Sequence, residues 1–308
     1  MRCAVITGVT GFIGGNLCEE LLKNGTRVYG IGRNTDKMKK FECYPNFRPL
    51  VSDFENYVDL GKNISEEPDV FFHTAYQGVA GKAKREYRTQ MANIKATCDS
   101  MELACKLKSA RYVYCGSVDE YETSLNPDKL TNRLSHSALY GSVKLLCEVF
   151  LRKIAEDNNI VYCSILLPLV YGEGNKQNIL PNVLLKNISN NSDMDLIDSE
   201  QFYDMIYIKS AIKQLINVAQ FGQDGESYYG GHVELFRFHE FIDSICDILG
   251  ARISLNYGKY SNEPLVKYDK INRRKLSELT GDILSNNLCE GIISTQKWLK
   301  SVGYLDKG

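Results

Sequence analysis

Three side chains in this sequence have types and a spacing that can do chemistry together. Tyr140 and Lys144 stand four residues apart in a stretch with helical spacing, so both project from one helix face. A phenol with a reference pKa near ~10 must be lowered by about three units, about 4 kcal/mol, to exchange protons near neutrality. An ammonium about 5 Å away, at an effective dielectric of about 20, supplies roughly 3 kcal/mol of that. Such a pair is common on surface helices and means little alone. Ser117 gives it company, because it directly follows a strand-like run, RYVYC at 111–115. A hydroxyl there can hydrogen-bond a carbonyl oxygen and polarise it while a neighbouring phenol gives or takes a proton.

These groups need a scaffold, and the start of the chain shows its type. Cys3, Ala4, Val5 and Ile6 form a short apolar run of strand length, followed by Gly8, Gly11 and Gly14. From Phe12 the apolar positions change to helical spacing: Phe12, Ile13, Leu17, Leu21 and Leu22. Strand, glycine turn and helix together present unpaired backbone N–H groups and a positive dipole end to a phosphate. A tight turn also uses glycine, but this position between strand and helix points to a dinucleotide site. Further strands are expected at 26–31, 48–51, 69–73, 111–115 and 160–167, and a short helix at 57–64. Longer helices are expected at 90–107 and 139–156, with a loop through Asn126 and Pro127 before the second. The apolar face of the second is read as Val143, Leu146, Cys147, Phe150 and Ile154. Alternation of this kind predicts an α/β fold, a Rossmann-type doubly wound parallel sheet with a smaller C-terminal α/β domain. The first domain is placed at 1–170, with 200–222 returning to it, and the second at 171–308. Helices are expected at 208–221 and 236–249, and over TQKWLKSVG near the end.

Composition removes several function classes. A formal net charge of -1 gives no basic field for nucleic acid, and no apolar run has membrane length. The ten cysteines include no CxxC, and most lie in apolar runs, so no metal site is expected. Buried thiols fit a reducing compartment and a cytoplasmic protein. At the end of the second strand an acidic side chain would accept hydrogen bonds from an adenosine ribose, whereas an arginine suits the extra phosphate of NADP. Arg33 stands there, with no carboxylate before Asp36, so NADP(H) is favoured and NAD is possible. His73, at a strand end, reads as a packed, hydrogen-bonded residue. The segment QGVAGK beyond it reads as a flap over the ligand crevice.

Taken together, TGVTGFIG, CGSVDEY, YGSVK and LLPLVYGEGN resemble the extended short-chain dehydrogenase/reductase family, the sugar-nucleotide epimerases, dehydratases and reductases. HTA after the DVFF strand, Asn93-Ile94, YDMIYI and the WLKSVGY ending extend the resemblance over nearly the whole chain. The resemblance implies Tyr140 as acid/base, Lys144 as the residue that orients the nicotinamide ribose and lowers the Tyr140 pKa, and Ser117 as the third catalytic member. It places the cofactor on Gly8, Thr10, Gly11, Phe12, Ile13, Gly14, Arg33, Asp53, Thr74, Ala75, Tyr76, Asn93, Tyr140, Lys144, Pro168 and Val170. The second domain would hold a nucleoside-diphosphate sugar, in a role such as polysaccharide biosynthesis. Helices 90–107 and 140–156 would pair as a four-helix homodimer interface.

Departures qualify the match. Leu167 and Tyr203 stand where the family often has arginines, leaving Arg237, Lys267 or Arg273 as candidate substitutes for binding the diphosphate. Dehydratases carry Asp-Glu directly after a catalytic Thr, whereas Val118 and Asp119 follow Ser117 here, which disfavours 4,6-dehydration. The expectation is an NADPH-dependent reductase of a keto-sugar nucleotide. The alternative is a redox-neutral 4-epimerase with tightly bound NAD, and a non-catalytic dinucleotide-binding protein ranks lower.

Overall fold

The computed structural model describes residues 1–54, 56–79, 81–125, 138–260, 266–284 and 287–306. In chain order the first elements are β1 (Cys3–Thr7), α1 (Phe12–Lys23), β2 (Arg27–Gly32), α2 (Thr35–Met38), β3 (Phe47–Val51) and β4 (Val70–His73). There follow α3 (Tyr87–Lys106), β5 (Arg111–Ser117), α4 (Val118–Leu125), α5 (Ala138–Asn158), β6 (Val161–Leu167), β7 (Leu169–Tyr171), α6 (Leu180–Ser189), β8 (Met194–Ile197) and β9 (Phe202–Tyr203). The last are β10 (Met205–Tyr207), α7 (Ile208–Phe221), β11 (Glu226–Tyr229), β12 (Phe236–Arg237), α8 (Phe238–Leu249), β13 (Leu255–Tyr260), α9 (Lys275–Thr280) and α10 (Leu288–Ser301).

The chain divides into two compact units, Met1–Leu167 with Ile212–Gly230, and Pro168–Ala211 with Gly231–Gly308. The segment that rejoins the first unit is thus 212–230, later than the 200–222 of the sequence reading. Its described strands form one parallel sheet in the order β11-β6-β5-β4-β1-β2-β3. This is the Rossmann-type α/β arrangement that the alternation implied. β1 and β4 are almost wholly apolar and fully buried, as strands covered on both faces must be. Strand order reverses beside β1, so the turns leaving β1 and β4 flank the switch point where such sheets bind ligands.

Three local expectations are corrected. The residues after Ser117 form α4 where a loop was expected, and Asn126 and Pro127 lie outside the described residues. α6 was not anticipated. The buried face of α5 is Tyr140, Val143, Lys144, Cys147, Glu148, Leu151 and Ala155, while Leu146, Val149 and Phe150 point outward. The apolar stripe misled because the inward face carries the polar working groups. In the second unit β10 pairs with β7, β12 with β9 and β13 with β8. Among the described residues no helix is long and apolar enough to cross a membrane.

Candidate active site

The glycine turn is built from missing side chains. Gly8 has φ +79°, a left-handed conformation that favours glycine, and a Cβ there would lie 2.9 Å from the Ala75 backbone. A Cβ on Gly14 would overlap both the Gly8 carbonyl oxygen and the Thr74 hydroxyl. Gly11 caps α1 without a side-chain acceptor, and the first turn of α1 holds no acidic residue. The N–H groups at Phe12 and Ile13 are thus left uncapped by any side chain of their own turn, which fits a bound pyrophosphate. Thr10 packs against Gly32, where an added Cβ would meet it at 2.9 Å.

Arg33 directly follows β2 and its guanidinium lies 6.0 Å from the Phe54 ring centroid. Asn34 caps α2 by accepting the Lys37 N–H, and Asp36 pairs with Lys39. No carboxylate therefore stands at the end of β2. The exposed Asp53 accepts a hydrogen bond from Asn56. Beneath the turn, the Thr74 hydroxyl donates to the Thr7 carbonyl and the Ala75 N–H to the Thr7 hydroxyl. His73 is buried between the Thr7 and Thr97 hydroxyls, 3.0 and 3.2 Å away.

The structure brings Ser117, Tyr140 and Lys144 together in the first unit. Ser117 ends β5, and its hydroxyl lies near enough to the Tyr140 phenol to favour the ionised form. Tyr140 and Lys144 face inward from α5, both buried. The Lys144 ammonium donates to the Cys115 carbonyl at 2.7 Å and lies 4.4 and 4.6 Å from the rings of Tyr76 and Tyr114. Tyr76 meets Tyr140 edge to face at 5.3 Å and donates its own hydroxyl to Gln90.

One expectation fails in the resting protein. Burial holds the Tyr140 pKa well above the usual phenol range, aided by the charge of Asp119, while the Ser117 hydroxyl pulls the other way. The Lys144 cation, spent on a carbonyl and two other rings, is not among the leading influences on Tyr140. The resting phenol therefore keeps its proton. The Asn93 amide accepts the Gln77 N–H and donates to the Gln77 carbonyl, so it positions the loop after β4.

Lys84, which the sequence reading passed over, lies 4.5 Å from the Tyr140 ring centroid and 3.5 Å from Asp119. Only its place in the run KAKR beyond the flap segment could have signalled it. Glu120, also missed, accepts the Ser117 N–H at 2.6 Å. Pro168 and Val170 belong to the second unit, both buried, with Val170 in β7. There Arg237 donates to the Glu200 carbonyl and Arg273 to the Val233 carbonyl. Both guanidiniums are partly committed to the protein.

The sequence profile described as the NAD dependent epimerase/dehydratase family matches residues 4–231. The chain is 22% identical over 275 residues to CDP-abequose synthase of Yersinia pseudotuberculosis, covering 86% of this chain and 91% of that protein. It is 25% identical over 249 residues to dTDP-4-dehydro-6-deoxyglucose reductase of Escherichia coli, covering 75% and 74%. Among solved structures, UDP-glucuronic acid 4-epimerase from Bacillus cereus, in complex with UDP-glucuronic acid and NAD, superimposes with a TM-score of 0.78 at 21% identity. That match spans 98% of this chain and 100% of the other.

Proposed function

The chain belongs to the NAD-dependent epimerase/dehydratase family, an extended short-chain dehydrogenase/reductase enzyme, and we propose that within it the protein is an NADPH-dependent reductase of a keto-sugar nucleotide. The observation that carries the reading is the end of β2. Arg33 beside Phe54, with Asn34 and Asp36 engaged locally, offers a cation to a 2′-phosphate and no carboxylate to a ribose diol. A cofactor consumed each turnover is usefully drawn from the phosphorylated pool, whereas an epimerase regenerates its own.

Gly8, Gly11 and Gly14 leave room for the pyrophosphate, and Tyr140 and Lys144 lie at the nicotinamide end. The bound cofactor supplies hydride to the carbonyl carbon of the sugar. Ser117 holds the carbonyl oxygen, and Tyr140 gives that oxygen its proton from Oη, a task suited to a phenol that stays protonated at rest. Lys84, whose ammonium lies 4.5 Å from the Tyr140 ring centroid, steadies the charge left on the phenolate, while Lys144 orients the nicotinamide ribose. Binding of the nucleoside diphosphate falls to the second unit.

The test is direct. Purified protein mixed with NADPH and dTDP-4-dehydro-6-deoxyglucose, and with CDP-, UDP- and GDP-linked keto sugars, is expected to oxidise NADPH with one of them. Copurifying NAD and interconversion of sugars without added cofactor would establish the 4-epimerase instead.

The reading includes a homodimer. Tyr87 and Met91 on α3, 62% and 61% exposed, and Val149 on α5, 54% exposed, join Leu146 and Phe150 as outward apolar groups on helices that pack together. A second copy would bury this surface. Phe150→Glu is expected to yield a monomer by light scattering, and a wild-type monomer at micromolar concentration would end the proposal.

A further inference from the structure

The helix that follows the candidate catalytic serine starts in an unusual way. Ser117-Val118-Asp119-Glu120 has the S-x-x-E spacing of a capping box, in which serine and glutamate each satisfy a backbone N–H of the other's end. The glutamate's bond is present, the Ser117 N–H donating to Glu120 Oε1 at 2.6 Å, and the serine hydroxyl oxygen accepts the N–H one residue earlier, from Asp119 at 3.3 Å. A capping glutamate is normally at the surface, whereas Glu120 is 1% exposed. Its Oε1 occupies the space a side chain on Gly116 would need, so an added Cβ would overlap it. Its Oε2 finds no hydrogen-bond partner among the described residues. Burial and the nearby Glu148 push the carboxyl up to about 8, so at neutral pH it largely carries its proton.

Burying an unshared carboxyl for helix capping alone is a poor exchange, since an exposed glutamate makes the same bond without desolvation. The buried box does something an exposed one does not. With Glu120 Oε1 seated in the Gly116 gap it fixes the backbone beneath Ser117, while the Asp119 N–H takes one lone pair of the hydroxyl and leaves its O–H to be given to the substrate oxygen. We propose that Glu120 is a positioning residue for the reaction, clamping the Ser117 turn through the gap left by Gly116 so that the hydroxyl meets Tyr140 and the substrate oxygen in one geometry. This rests on the reductase reading for its kinetic consequence but not for its structural one.

The experiment compares Glu120→Ala, Glu120→Gln, Gly116→Ala and the double variant Gly116→Ala/Glu120→Ala. Hydrogen exchange of the Ser117 amide needs no substrate. It is expected to quicken in Glu120→Ala and stay slow in Glu120→Gln, whose amide oxygen accepts the same bond in the shape of the neutral acid. With NADPH and the keto-sugar nucleotide that the wild type reduces, Glu120→Ala should lose about 10- to 100-fold in kcat, with KM nearly held, because the hydroxyl is misplaced. Glu120→Gln should recover most of that loss. Gly116→Ala should lower the Tm of the wild type by about 4 °C or more and that of Glu120→Ala by less, since the overlapping carboxyl is gone and only the Ile165 carbonyl oxygen, 3.0 Å from the added Cβ, remains. Unchanged Ser117 exchange in Glu120→Ala, or a full kcat in that variant, would overturn the proposal. A wild type that reduces no keto sugar would overturn the reductase reading while leaving the exchange result to judge the clamp.

Discussion

The two ends of the candidate site are built on opposite principles. At the glycine turn the working groups are backbone N–H groups, and the design consists of atoms left out: no Cβ at Gly8, Gly11 or Gly14, no cap and no acid at the start of α1. At the serine end the design consists of ionisable groups crowded in: Tyr140, Lys144 and Glu120 are all buried, with the Lys84–Asp119 pair against the phenol. A phosphate is held by geometry the chain itself supplies, so it needs space. Proton transfer needs an environment that sets where the proton rests, so it needs neighbours. Damage at the first end should therefore remove the cofactor, and damage at the second should remove turnover while the cofactor stays.

The strongest test is Tyr140→Phe. Loss of the only proton donor proposed for the substrate oxygen should lower kcat about 10³-fold. NADPH binding, followed by fluorescence, is expected to persist, because the substitution leaves the backbone N–H groups of the glycine turn unchanged. A variant that turns over at the wild-type rate would remove Tyr140 from the chemistry.

Gly14→Ala probes the other end. Its Cβ would strike the Gly8 carbonyl and Thr74 hydroxyl, backbone and a short side chain with little freedom to yield. Relieving that overlap should cost about 1–3 kcal/mol of stability and shift the turn away from its ligand. Both the thermal midpoint and the stabilisation conferred by NADPH should fall. A normal NADPH-induced shift would show that this turn does not hold the phosphates.

The contrast also explains what could be read in advance. Missing atoms leave a signature in spacing, so Gly8, Gly11 and Gly14 between strand and helix located the first end, and the alternation of β1 to β6 with helices located the sheet. The S-x-x-E signal at Ser117–Glu120 was equally local and would have disclosed α4. Burial was harder to see. On α5 the apolar pattern pointed to Leu146 and Phe150, which are exposed, because Lys144 and Glu148 occupy inward positions where a stripe of hydrophobes was sought. The raised Tyr140 pKa arises from burial first, then from Asp119 and Glu120 on α4 and Tyr76 in the loop after β4, which no local pattern brings together.

Arg33→Ala sharpens the cofactor question with a smaller effect. Charge-assisted hydrogen bonds are worth about 1.5–3 kcal/mol, so NADPH affinity should fall about 10- to 100-fold while NADH affinity holds. Equal losses for both cofactors, or for neither, would show that Arg33 does not read the 2′-phosphate.

The mildest prediction sets the two ends against each other through pH. His73, under the glycine turn, is pushed down to about 3 by burial and by the Lys144 charge. Its folded pKa lies below the ~6.5 of an unfolded chain, so between those values the unfolded state binds the extra proton and stability rises with pH. From pH 5 to pH 7 that gain is about 2 kcal/mol. Glu120 does the reverse. Its pKa is raised to about 8, so the folded state holds the extra proton over the same range and stability falls as pH rises. In the wild type the two slopes oppose each other, and single variants should separate them. Glu120→Gln leaves the histidine slope, so its urea midpoint should rise from pH 5 to pH 7. His73→Gln leaves the carboxyl slope, so its midpoint should fall relative to the wild type over the same interval. If both variants kept the wild-type pH dependence, neither group would be titrating as its burial requires, and the contrast between an end kept open and an end filled with buried charge would lose its electrostatic basis.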